Sequence, residues 1–76
     1  MAAIPYDVAE AFMHAKPAKR GAFESKGDAV YSYHLKLAEW RDSGPAWVTD
    51  PVEARRTSVT TARHVNALLY VLPYRG

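Results

Sequence analysis

The run "AVYSYHLKLAEW", residues 29–40, decides how the fold is read. Tyr31, Tyr33, Leu35 and Leu37 alternate with Ser32, His34, Lys36 and Ala38. A period of two is that of a β-strand with one buried and one wet face, so the run predicts one strand with the tyrosines and leucines inward. Upstream, "AFES" (22–25) is a second extended run, joined to the first through "KGD" (26–28), where Gly27 supplies the positive φ a tight turn needs. Downstream, "RDSGP" (41–45) reads as the next turn and "AWVTD" (46–50) as a third short strand that Pro51 closes. The expectation is a three-stranded antiparallel meander.

Helical patterns flank it. In "PYDVAEAFMHA" (5–15), Asp7 and Glu10 are spaced as in a capping box, while Val8, Ala11, Phe12 and Ala15 share one face. Pro17 is expected to end this helix, leaving "KPAKRG" (16–21) as a basic connector. Near the C-terminus, "SVTTARHVNALL" (58–69) opens a second helix. Thr57 or Ser58 suits its N-cap, and Thr60 and Thr61 suit its first turn. Val65, Leu68, Leu69 and Leu72 form its apolar stripe, and Pro73 stops it. The predicted class is α+β, a three-stranded antiparallel β-meander packed against a C-terminal α-helix, with a short N-terminal helix beside it (α-β-β-β-α). One small domain is expected over residues 1–76.

Composition narrows the function classes. The chain is 49% hydrophobic with five Tyr, two Trp and two Phe, which places it outside the disordered class. Cysteine is absent, so neither a disulfide framework nor a thiolate metal site can form. No stretch approaches the ~20 apolar residues of a membrane-spanning helix, and no leader pattern opens the sequence. A soluble, cytoplasmic protein with no membrane partner is expected. Charge is asymmetric: residues 1–54 hold six Lys/Arg against eight Asp/Glu, whereas residues 55–76 hold Arg55, Arg56, Arg63 and Arg75 and no acid. That basic pole suits either an ordinary solvated surface or an anionic partner.

Residues that carry chemistry are few. His14, His34 and His64 are widely spaced on three elements with no H-E-x-x-H pattern, so no metal site and no cofactor is expected. No G-x-S-x-G elbow, catalytic carboxylate pair or phosphate-cradling glycine loop is present, and the chain is read as non-enzymatic. His64, one turn beyond Thr60, would face the sheet margin, where a Tyr or Ser hydroxyl of the long strand can bond it; a structural histidine and a partner contact both remain open. Trp40 and Trp47 flank the second turn, where their rings either pack across the strands or stand exposed beside arginine, a composition typical of binding hot spots.

Two stretches taken together, "ESKGDAVYSYHLKLAEW" and "SVTTARHVNALL", resemble a family of small uncharacterised domains met in bacteriophages and mobile elements. The shared pattern falls on Gly27, Tyr31, Ser32, Tyr33, Leu37, Ala38, Ser58, Thr60, Thr61 and His64. The resemblance carries no activity, but it implies a phage-type accessory protein in a bacterial host cell. On that basis a host protein is the expected partner, in an effector or inhibitor-like interaction through Trp40, Arg41, Trp47 and His34. Three alternatives stand beside it. One is nucleic-acid binding through Arg55, Arg56 and Arg63 at the C-terminal helix, with Lys16, Lys19 and Arg20 as further phosphate contacts; another is a small enzyme; the last is a minor structural or assembly role, with a homodimer through an open sheet edge as one form of it.

Overall fold

A computed structural model describes residues 6–74. Its elements are α1 (Tyr6–Met13), β1 (Pro17–Arg20), β2 (Phe23–Lys26), β3 (Ala29–Ser32), β4 (Leu35–Arg41), β5 (Gly44–Trp47), α2 (Pro51–Ala54) and α3 (Val59–Val71). The class is α+β, but the sheet has five antiparallel strands in the order β1-β2-β3-β4-β5, with three helices. The expected three-stranded meander and its α-β-β-β-α order are therefore corrected.

Three local causes account for the difference. The run 29–40 is a hairpin, because Ser32 pairs with Leu35 around a two-residue turn, Tyr33–His34. The "connector" after α1 is an edge strand that opens on Pro17, a position where the missing N–H costs no ladder bond. Finally, β5 begins at Gly44 and Pro45, two residues before the expected third strand, and Pro45 is tolerated because β5 is the opposite edge.

The expected inward face of residues 29–40 is also corrected. Val30 and Ser32 are buried, whereas Tyr31 is only partly covered and Tyr33 is exposed. Val30 pairs with Ala38 but Tyr31 pairs with Lys36, so Leu37 is an extra residue on β4. This bulge breaks the period of two and lets the adjacent Leu37 and Ala38 both be buried.

Helices α1 and α3 cover one face of the sheet. Val8, Ala9 and Phe12 of α1 join Phe23, Val30, Leu37 and Ala38 of the strands and Val65, Ala67, Leu68 and Leu72 of the α3 region in one core. Each large side chain fully buried there, such as Phe12 or Leu68, contributes about 1.5–3 kcal/mol of transfer free energy. Leu69 lies only at the margin of this core. Asp7 stands within the first turn of α1 and accepts from the Val8 N–H. The helix ends before Pro17: Lys16 N–H reaches Ala11 O and Ala15 N–H reaches Phe12 O, with Ala15 at φ 56, a left-handed C-terminal turn. Gly27 packs so closely on this turn that a Cβ would lie 3.2 Å from Ala15 O.

The two tryptophans bind helix ends to the sheet. Trp40 Nε1–H donates to Phe12 O at 2.7 Å, and Trp47 Nε1–H donates to Leu72 O at 2.9 Å. Asp50 caps α2 by accepting from Val52 N–H, and Ser58 caps α3 by accepting from Thr61 N–H. No helix among the described residues is long and apolar enough to cross a membrane.

Candidate functional site

The end of β3 and the start of α3 meet through hydroxyls and one imidazole. Ser58 donates to Thr61 Oγ1 at 3.0 Å, Thr61 Oγ1 lies 3.0 Å from Ser32 Oγ, and Ser32 Oγ lies 2.7 Å from His64 Nδ1. Ser58 also accepts from Thr61 N–H, so its own proton points along the chain. Ser32 Oγ thus bridges the Thr61 hydroxyl and the imidazole, one hydroxyl serving two buried partners. Burial holds the His64 pKa below its ordinary value, in keeping with a neutral ring. That ring stacks on Phe23 with centroids 4.5 Å apart and planes 7° from parallel.

This arrangement joins the end of β3 to the start of α3. Ser32 is 1% exposed, and its oxygen bonds both Thr61 and His64. No carboxylate among the described residues bonds the imidazole to orient it as a general base. Among the same residues no group of three or more His, Asp or Glu is arranged to hold a metal ion.

Immediately after Ser32 the chain does something that packing does not require. Three successive hairpins turn through two residues, Gly21–Ala22, Gly27–Asp28 and Tyr33–His34. The first residue of each turn has φ of 58°, 93° and 57° respectively. Glycine fills the first two positions; the third holds a tyrosine that is 58% exposed. Left-handed backbone costs a bulky L-residue about 1–2 kcal/mol, and an exposed ring recovers little of it by burial. The Tyr33 N–H donates to Ala22 O at 2.7 Å, which fastens this turn to the first one.

Tyr33 and His34 form a ridge between two grooves. On the helix side a cavity of about 420 Å³ is lined by Leu35, Ser32, Thr57, Ser58 and Thr61, and it is mostly apolar. On the open face of the sheet a more polar cavity of about 400 Å³ is lined by Lys19, Glu24, Lys26 and Tyr31 with the Gly21–Ala22 turn. The Lys26 ammonium stands 4.9 Å from the centre of the Tyr31 ring, a cation–π contact.

The residues singled out in the sequence are dispersed over the molecule. His34 lies on the ridge and His64 behind it, but the others stand elsewhere. Trp40 and Trp47 are half-buried with their N–H groups engaged, and Arg41 is exposed and paired with Glu39 at 3.0 Å. Glu39 also pairs with Lys36 at 2.7 Å, and these two cations hold its pKa below the usual range. Arg55 bonds Asn66 at 3.3 Å, Arg56 lies 3.9 Å from Glu53, and Arg63 is exposed on α3; Arg75 lies outside the described residues. Tyr33, Leu35, Lys26 and Thr57 escaped the sequence reading. A turn without Gly, Asn or Asp leaves no local mark, and the alternation assigned Tyr33 and Leu35 to the core.

No protein-family model matches the chain, and neither a curated protein nor a solved structure matches it.

Proposed function

We propose that this chain is a small non-catalytic accessory protein of a phage or mobile element that binds a host protein in the bacterial cytoplasm, with the Tyr33–His34 ridge as its principal contact. One observation carries the reading: Tyr33 occupies a left-handed turn position that two sister hairpins give to glycine, yet it presents its ring to solvent. Strain kept at a residue that buries little is accounted for when the ring is needed by something outside the fold. Exposed tyrosine beside an apolar groove has the composition of an interface hot spot, and the lysines on its other side supply charge for partner choice.

The same geometry weighs against the other classes. Ser32 and His64 are engaged in a buried hydrogen-bonded chain with Thr61, which counts against this pair as nucleophile and base. At the C-terminal pole Arg56 faces Glu53, an acid that a phosphate would have to compete with, while Arg55 bonds the neutral Asn66 and keeps its charge. The test is capture from bacterial lysate with the tagged chain, run with and without nuclease. A distinct host protein retained after nuclease supports the proposal, and material that vanishes with nuclease refutes it.

A further inference from the structure

From the grooves on either side of Tyr33 we infer that the partner presents an extended acidic segment with an apolar anchor, acid toward Lys19 and Lys26 and anchor toward Leu35. This rests on the reading of Tyr33 as the contact residue and specifies the chemistry it meets. The argument begins with which surface charges are free. Ion pairs among the described residues engage Arg20 with Asp7, Lys36 and Arg41 with Glu39, and Arg56 with Glu53; Lys19 and Lys26 are in none of them. Both line the open-face groove, where Glu24 is the single carboxylate. The Tyr31 ring beneath the Lys26 ammonium holds that charge at the groove instead of letting it swing into solvent.

Across the ridge the surface changes character. Leu35 and the carbon atoms of Thr57 and Thr61 line the second groove, and the hydroxyls of Ser32, Ser58 and Thr61 are turned to one another. That groove offers contact area and few free polar groups, so an aliphatic or aromatic side chain suits it better than a charge or a phosphate. A nucleic-acid strand with its phosphates at the lysines would turn polar base edges to the second groove, which has few free polar groups to bond them; an acidic peptide with one apolar residue matches each side in turn. Tyr33 would cover the peptide backbone between them.

Selection of a displayed random-peptide library on the intact chain tests this, followed by titration of the best peptide, synthesised with a fluorescein label. Enriched sequences are expected to combine Asp or Glu with Leu, Ile or Phe. The labelled peptide should bind the parent chain more weakly as ionic strength rises, and should bind the Lys19→Ser/Lys26→Glu double variant about tenfold or more weakly at low salt, with a smaller dependence on salt. Lys19 is changed to Ser because a glutamate there would face Glu24 across the strands; Lys26→Ala alone serves as a milder variant, with a smaller loss in the same direction. Tyr33-dependent peptides without acid preference, or an affinity unchanged by the lysine variants, overturn this inference and leave the Tyr33 contact standing. Peptides that bind Tyr33→Gly equally well overturn the contact itself. Lysine-dependent displacement of the peptide by labelled oligothymidylate would assign the groove to single-stranded nucleic acid and also overturn the inference.

Discussion

Ser32 Oγ and His64 Nδ1, 32 positions apart in sequence, lie 2.7 Å apart in the fold and tie the end of β3 to the second turn of α3. The same oxygen lies 3.0 Å from Thr61 Oγ1, so one buried hydroxyl serves two partners. The Tyr33 turn follows directly on Ser32, and the groove beside it is bounded by Thr61. The joint anchors the backbone from which the Tyr33 turn departs.

Ser32→Ala removes that hydroxyl and leaves Thr61 and His64 without it in a buried setting. The expected loss is about 1–3 kcal/mol, because an unpaired buried polar group costs more than a hydrogen bond contributes. Urea denaturation measures it. A loss below about 0.5 kcal/mol, the level of an ordinary surface change, would show that the joint holds little.

Acid should weaken the fold in a window set by His64. Burial lowers its folded pKa below 6.5, so between the two values the unfolded chain binds the extra proton and stability falls as pH falls. Asp7 and Glu39 also have lowered values, Asp7 chiefly through the Arg20 hydrogen bond and Glu39 through the Lys36 one, but they act in the lower carboxylate range. Melting temperature measured from pH 7 downward should begin to drop near pH 6.5, and His64→Gln should flatten that drop. An unchanged slope in the variant would rule out His64 as its source.

Trp47→Phe should lower stability by about 1 kcal/mol, since the ring is largely replaced but the bond to Leu72 O is lost. Faster amide exchange at the C-terminal end of α3 would accompany it. Leu68→Ala should cost about 2–5 kcal/mol because Leu68 is fully buried, whereas Leu69→Ala at the core margin should cost less. Equal losses at the two leucines would contradict the packing of α3.

Much of this architecture was legible in the residues. The face of Val8 and Phe12, the stripe of Val65, Leu68 and Leu72, the Ser58 cap and the Gly27 turn each follow from spacing or from a residue with one strong conformational preference. The strands were harder to count. Pro17 and Pro45 read as breakers, yet they sit on the two edges of the sheet, where a missing N–H goes unnoticed. The Tyr33–His34 turn leaves no mark because its left-handed position holds the wrong residue type for a turn, and the alternation that runs through it in the sequence is broken in the fold by the Leu37 bulge. His64 could be placed facing a hydroxyl from its position on the helix; that Ser32 supplied it depended on the hairpin, which was not seen. Of the ridge, the sequence points to His34 as a contact but assigns Tyr33 to the core, since the residue that breaks the local rule is also the one displayed.

Tyr33→Gly, measured for stability and for capture of host protein on the same preparation, tests the account most directly. Relief of the left-handed strain is offset in part by the greater freedom of glycine in the unfolded chain, so the variant should be as stable as the parent or more so, by up to about 1 kcal/mol. The account predicts that this equally stable variant no longer retains the protein the parent captures. Retention of the same protein at the same level by a stably folded Tyr33→Gly chain would contradict it.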